Sequence, residues 1–420
     1  ELDAIIVGAG AIGGALALAL TRDGFEVALV EAREPKPWRA EDEVDLRVVA
    51  LAPDARDLLD QLDAWTTISR RAGPYRHMRV WDALAPGELA FDAADRGEAA
   101  LGWIVENKLI QHALWQAIGG ISCGSGFSRD AYPSLRSASQ GIATELAAPT
   151  IPRLYCPAEV AEIDNGTDAV AATLADGTRL RAKLLIAAEG AESSVRAKLG
   201  IAFEGRDYRQ RAVVAHVATE RAHENTAWQR FQPGGPLAFL PLADGRCSIV
   251  WSLPEAEAAR ILALDDATFR AELGCAFDFR LGAITASTPR AVFPLRMRLA
   301  ERYVAGRCVL AGDAAHIVHP LAGQGMNLGF RDVACLRRVL REARERGSDL
   351  GAAHTLRRYE RERRSENALA AYGLDAIERI FAGTLMPLAA MRGAGLAIAG
   401  AWAPLRSGLA AAAAGRSDGL

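Results

Sequence analysis

Six residues near the start of the chain, Gly8-Ala9-Gly10-Ala11-Ile12-Gly13, have the spacing GxGxxG, which suits the cradling of a pyrophosphate. Gly8 permits a tight turn. Gly10 lets backbone approach the phosphates, and Gly13 lets a helix pack on the preceding strand. N–H groups at the helix start then face negative charge. Glu31 stands at the end of the next apolar run, where a carboxylate can accept from ribose hydroxyls. Ala32 and Arg33 after it are further contact candidates. This pattern reads as dinucleotide binding and does not separate NAD from FAD.

A second element lies far down the chain, in RCVLAGDAAHIVHPLAGQGMN from Arg307 to Asn327. It joins a buried strand, a Gly312-Asp313 turn, a Pro- and Gly-rich loop and a helix start. Asp313 can accept hydrogen bonds from the ribityl chain of a flavin. The loop from Pro320, with Gly323, Gln324, Gly325, Met326 and Asn327, would bring backbone N–H groups to the flavin's pyrimidine edge. Reduced flavin carries negative charge at that edge, which a helix N-terminus favours. A ligand-free capping loop is the plainer reading, but Gly-Gln-Gly after Pro weighs against it. Two such elements so far apart imply one long, two-part ligand, and FAD fits.

Other residues join these as cofactor-contact candidates. Glu189-Gly190 follows a buried strand, and Arg196, at the end of the run Glu189-Gly190-Ala191-Glu192-Ser193-Ser194-Val195-Arg196, can reach a phosphate. Arg47, within Asp45-Leu46-Arg47-Val48, is a candidate for the pyrophosphate or the flavin ring. Asn107, opening the helix NKLIQHAL, is a candidate for the ribityl or phosphate region, and Val160 is a further contact. His316 and His319 read as structural histidines near the flavin; their spacing lacks a nearby Glu or Cys to complete a metal site. There is no Ser-His-Asp constellation and no Gly-Lys-Ser/Thr phosphate loop. No residue presents itself as a catalytic base.

These residues need an α/β scaffold. Residues 2–7 read as a strand buried on both faces, followed by an Ala/Leu helix and a second strand, a βαβ start. Pro53 opens a helix with Leu58, Leu59 and Leu62 on one face. Asp176-Gly177 marks a tight hairpin turn. Residues 211–295 read mostly as strands, interrupted by a helical piece near 255–276. The expected class is an FAD-binding Rossmann-like domain with an inserted β-rich substrate domain and a C-terminal helical region. The expected division assigns 1–75, 101–200 and 296–345 to the FAD-binding part. It assigns 76–100 and 201–295 to the substrate domain, and 346–420 to C-terminal helices. Residues 122–150, rich in Ser, Gly and Ala, read as a mobile surface insertion.

Bulk properties narrow the class. The chain has 420 residues, 50% hydrophobic and 24% charged, with a formal net charge of -3, which gives no reason to expect a nucleic-acid partner. Six scattered cysteines, without a CxxC pair, argue against a zinc site or disulfide framework and fit a reducing cytosol. An apolar strand beginning at Leu2 leaves no room in this sequence for a leader peptide, and no apolar run reaches spanning length.

GAGAIG, DLRVVAL, WIVENKLIQHALW, EGAESSVR and GDAAHIVHPLAGQGMNLGFRD together resemble the ubiquinone-biosynthesis flavoprotein hydroxylases. These are class A FAD monooxygenases with a p-hydroxybenzoate hydroxylase-like fold. The resemblance covers nearly the whole chain except 122–150. RRAGPYRHMRVWD and LAFLPLADGRCSIVWSLP bring the chain nearest to 2-polyprenylphenol hydroxylases. It implies C5 hydroxylation of a 2-polyprenylphenol, with NAD(P)H and O2 as co-substrates and a flavin C4a-hydroperoxide as oxidant. Hydroxylation of another ring position or another aromatic substrate is the alternative. A non-catalytic, flavin-bearing member of a ubiquinone-biosynthesis complex is a third reading. The family usually has Asp-Gly where this chain has Glu189-Gly190, a departure that bears on NAD(P)H use. Halogenases of this fold carry Trp-x-Trp-x-Ile-Pro, which this sequence lacks.

Phe239, Leu240 and Pro241 are candidates for the substrate-facing wall. From Arg331 to Arg364 there are 11 arginines against 6 acids, read as solvated helix faces with pairs such as Glu360 with Arg364. Beyond them the tail is apolar. Trp402, Leu405 and Leu409, with Arg392 and Arg406, suit peripheral contact with the inner face of the cytoplasmic membrane, where a polyprenyl substrate resides.

Overall fold

A computed structural model describes residues 2–119, 151–318 and 325–382. The segments 122–150, 319–324 and 383–420 discussed above therefore lie outside the described residues. So do Pro320, Gly323, Gln324 and His319, and with them the expected membrane-facing tail.

The chain is α/β. Its centre is a parallel sheet in the spatial order Cys308–Leu310, Arg179–Ala187, Leu2–Val7, Val27–Val30, Arg153–Tyr155. Strand Leu2–Val7 lies in the middle, with Ile5 and Ile6 fully buried, as its unbroken apolar sequence requires of a strand covered on both faces. Helices Ala11–Arg22, Asn107–Ala117 and Gly325–Glu345 belong to this core. The expected helix at Pro53 runs Pro53–Gln61, and the hairpin turn at Asp176-Gly177 joins Val170–Leu174 to Arg179–Ala187.

A nine-stranded sheet forms a second layer. Phe203–Thr219, Cys247–Pro254, Leu237–Pro241, Thr226–Phe231, His77–Asp82 and Glu88–Asp92 are neighbours in that order, with Ala291–Ala300 on the far side of Phe203–Thr219. One face packs on helices Glu255–Ala263 and Asp266–Ala276 through Val213, Phe239, Ile249 and Phe277. The other face carries Ala212, Val214, Val250 and Phe293, against Leu46. Period-2 alternation sends neighbouring residues of one strand to opposite sides.

The small sheet of Val48–Leu51, Gly102–Glu106 and Gly73–Tyr75 bridges the layers. A Cβ on Gly73 would lie 2.5 Å from the Pro241 carbonyl oxygen, so the two backbones touch there. The last described helix, Ala353–Ala382, packs along Gly325–Glu345. No described helix is long and apolar enough to cross a membrane.

Candidate FAD site

Parallel strands present their carboxyl ends on one edge, where ligands of open α/β sheets bind. The candidate loops gather there. Val7 leads into Gly8, Val30 into Glu31, Ala187 into Glu189-Gly190, and Leu310 into Gly312-Asp313. Backbone bonds lock them side by side: Gly8 N donates to Val30 O (2.8 Å), Ala188 N to Val7 O (2.8 Å) and Ala311 N to Ala187 O (2.9 Å).

The glycines differ in what they do. Gly8 has φ +99°, and a Cβ there would lie 2.5 Å from Ala188 O. A Cβ on Gly13 would come within 1.8 Å of Gly8 O. Both are glycine because the protein itself leaves no room. Gly10 is ordinary in φ (-69°) and a Cβ there would meet nothing within 4 Å. Among the described residues the space over Gly10 is open, and no side chain caps the first turn of Ala11–Arg22. A pyrophosphate fits that space and the N–H groups of an uncapped first turn.

Glu31 is held by the glycine loop and by its own, taking Ala9 N at 2.6 Å and Arg33 N at 3.1 Å. The other side of the Ala9 peptide accepts from Trp115 Nε1 at 2.8 Å, an anchor that the sequence pattern did not single out. Ala32 and Arg33 are exposed. Ala158 N donates to Glu31 O, two residues before buried Val160, so that segment borders the same corner.

Asp313 is exposed at the carboxyl edge, and among the described residues no donor reaches its carboxylate. Protein crowds round it nonetheless, and that desolvation pushes its pKa up; His316 opposes the shift and Asp332 adds to it. A carboxylate so placed fits the ribityl hydroxyls of FAD. The helix starting at Gly325 follows, with Met326 half-buried against the main core.

Several candidates turn inward. Ile12 wedges between two glycines: a Cβ on Gly312 would lie 3.1 Å, and one on Gly329 2.6 Å, from its side chain. Asn327 is buried, donating to Ala50 O (2.8 Å) and accepting from Ala52 N (3.0 Å), which pins strand Val48–Leu51 to the helix start. Arg196 is buried over the Phe203 ring at 3.9 Å, donating to Ala191 O (2.9 Å) and Ala314 O (3.4 Å). It ties two cofactor loops together where a phosphate contact was expected. Glu189 caps a short helix, accepting from Ser193 Oγ (2.5 Å), Ser194 Oγ (2.8 Å) and Val195 N (3.0 Å). Gly190 beside it, at φ +87°, has open space over its Cα.

Arg47 is exposed, 4.9 Å over Phe293, at the joint with the β layer. Its carbonyl takes Asn107 N at 2.9 Å. His216, which the motifs gave no reason to name, is buried beside that joint. Its Nε2 donates to Asp45 O at 3.1 Å, Nδ1 has no hydrogen-bond partner among the described residues, and burial lowers its pKa. Phe239 is stacked on Phe277 at 3.7 Å on the layer's far face, a core residue and not a substrate wall. Leu240, half-buried near Val48 and Ile104, faces the nucleotide-binding side. Among the described residues no group of three or more His, Cys, Asp or Glu side chains could hold a metal ion.

The fold and this carboxyl-edge site define an FAD-dependent monooxygenase. Residues 145–371 match the family model described as an FAD binding domain. Solved structures of similar fold include p-nitrophenol 4-monooxygenase from Pseudomonas putida (TM-score 0.72, 18% identity, 97% of this chain and 96% of that one). HpxO of Klebsiella pneumoniae, complexed with FAD and uric acid, is another (TM-score 0.70, 21% identity, 98% and 96%). Curated relatives are nearer. The 3-demethoxyubiquinol 3-hydroxylase of Escherichia coli is 36% identical over 93% of this chain and 93% of its own length. Ubiquinone hydroxylase UbiL of Rhodospirillum rubrum is 35% identical over 96% and 87%. The chain belongs to the flavoprotein hydroxylase family of ubiquinone biosynthesis.

Proposed function

We propose that the enzyme hydroxylates the aromatic ring of a polyprenylated ubiquinone precursor, at C5 of a 2-polyprenylphenol. The observation that carries this reading is the apolar face of the β layer turned toward the nucleotide-binding part, with Val214, Val250 and Phe293 against Leu46. Such a wall suits a flat, lipid-borne ring and keeps water from the reacting centre. When bound, FAD supplies reduction by NAD(P)H and activation of O2. The chain's own part is to hold and orient. Glu31 and the Gly8–Gly13 loop would grip adenosine and pyrophosphate, Asp313 the ribityl chain, and the Gly325 helix start the flavin's polar edge. NAD(P)H would find its phosphates met in the groove of about 310 Å³ lined by Arg206, Arg296 and Arg298, with Asp207 beside Arg296, across Phe203 from Arg196.

The substrate's tail suggests a bilayer. Leu369, Tyr372 and Ile377 stand 77%, 54% and 39% exposed on the last described helix, an apolar face suited to peripheral membrane contact. Cosedimentation with anionic liposomes tests it, and protein left wholly in the supernatant argues against it. Assembly with other ubiquinone-biosynthesis proteins belongs to the same proposal.

A second reading, hydroxylation at another ring position, draws support from the E. coli relative, named for 3-hydroxylation of 3-demethoxyubiquinol. The test is NAD(P)H oxidation by the FAD-loaded protein with short-chain analogues of each substrate, and the products located by NMR. C5 product from the phenol supports the first reading; product only from the demethoxy analogue supports the second. No stimulation and no product with either would leave a non-catalytic flavin carrier.

A further inference from the structure

The flavin-side turn rests on a buried ion network that the cofactor motifs do not contain. Asp332, on helix Gly325–Glu345, has 0% exposure. One carboxylate oxygen accepts from Gly312 N (2.9 Å) and His316 Nε2 (2.7 Å). The other accepts from Arg363 Nε (2.8 Å) and Asn367 Nδ2 (3.2 Å). Arg363, itself 2% exposed, also reaches Asn367 Oδ1 (2.8 Å) and Leu328 O (3.3 Å), and pairs with Glu366. One turn earlier on the same helix, Tyr359 donates to Leu310 O at 2.9 Å. Helix Ala353–Ala382 thus grips the end of strand Cys308–Leu310 directly and the Gly312 N–H through Asp332.

We infer that Arg363 is a positioning residue for FAD, acting through Asp332 on the Gly312-Asp313 turn. The inference rests on FAD lying along the carboxyl edge. A buried carboxylate with four donors fixes the direction of the Gly312 N–H, and so where Asp313 presents its acceptors. Removing Arg363 takes its guanidinium from a buried anion and leaves one carboxylate oxygen with Asn367 Nδ2 alone. The turn must then shift to admit water, and the neighbouring Asp313 carboxylate moves with it. Removing both charges relieves that demand and leaves the turn close to its place.

The test is FAD affinity of the full chain freed of flavin, followed by quenching of flavin fluorescence, with the visible circular dichroism of bound flavin recorded. Arg363→Met should raise the Kd at least tenfold and alter the dichroism. Arg363→Met with Asp332→Asn should return the Kd to within about threefold of the parent. Arg337→Met removes a fork on Asp23 (2.7 Å on both arms) remote from the turn and should leave Kd and dichroism unchanged. An unchanged Kd in Arg363→Met overturns the inference. So does a double variant no better than the single, or an Arg337→Met variant equally impaired. If Arg363→Met does not fold, Arg363→Lys decides. Its ammonium cannot serve Asp332, Asn367 and Leu328 together, so the Kd should rise threefold or more, and an unchanged Kd overturns the proposal. Failure of the parent to bind FAD at all would sink the cofactor assignment instead.

Discussion

Gly10→Ala separates a ligand's need from the protein's need. The backbone at Gly10 has φ -69° and ψ -168°, which alanine adopts freely, and the added methyl meets no atom within 4 Å. Alanine shortens the list of unfolded conformations, worth about 0.4–1 kcal/mol to the folded state. It is also a poorer residue before a helix, by a similar amount. The flavin-free protein should therefore keep its stability within about 1 kcal/mol. FAD should suffer. The methyl occupies the volume that lets phosphate approach the first-turn N–H groups. Losing one charge-assisted hydrogen bond removes roughly 1.5–3 kcal/mol, or about a tenfold to hundredfold rise in Kd at 1.4 kcal/mol per decade. Losing two compounds it. Gly8→Ala is the contrast. Its methyl would strike Ala188 O at 2.5 Å with φ at +99°, so the flavin-free protein should lose about 1–3 kcal/mol from backbone strain alone. Urea unfolding of both flavin-free variants, beside FAD titrations, reads both quantities. Parental FAD affinity in Gly10→Ala would refute the placement of the pyrophosphate.

Phe239→Ala empties a fully buried, stacked position and should cost about 3–5 kcal/mol of stability by urea unfolding. Leu240→Ala, half-buried on the opposite face, should unfold near the parental midpoint and raise KM for a hydrophobic phenol. Glu189→Ala removes the acceptor of three capping bonds and should cost about 1 kcal/mol in the same assay. Burial would push the Asp332 carboxyl up, but His316 and Arg363 bring it down to about 2. A depressed carboxyl stabilises above its ordinary pKa of 3.8 and loses that as pH falls through 2. The stability gap between the parent and Asp332→Asn should therefore narrow by about 2 kcal/mol from pH 5 to pH 2. A gap that stays constant over this range would show that Asp332 is not held ionised by its partners.

The elements that carry local grammar were readable in the chain. Leu2–Val7, the glycine loop and Glu31 follow one another closely, and Asp313 sits in a turn whose composition already implies close approach. Faces and partners were less readable. Alternation places Phe239 and Leu240 on opposite sides of a strand but does not say which side meets the nucleotide-binding part. Ile12, Arg196 and Asn327 lie in cofactor motifs yet hold the loops to one another. The basic run at 331–364 reads as solvated, because charge alone does not reveal burial. Glu360 takes the Tyr303 and Val304 N–H groups in place of the expected pairing with Arg364. Two signals were present. Asp332 interrupts the apolar stripe of Leu328, Leu336 and Val339, and Tyr359, Arg363 and Asn367 recur every fourth residue.

The contacts that close the carboxyl edge join segments from opposite ends of the sequence. Asn327 meets Ala52 across 275 residues and Ala50 across 277. Contacts of such separation form late, since loop-closure entropy is lost before they return any stability. During synthesis the glycine loop therefore emerges long before the helix bearing Asp332, and it waits as an incomplete edge. Incorporation of FAD is then an event of the finished chain, and truncation before Arg363 should release a protein that never turns yellow.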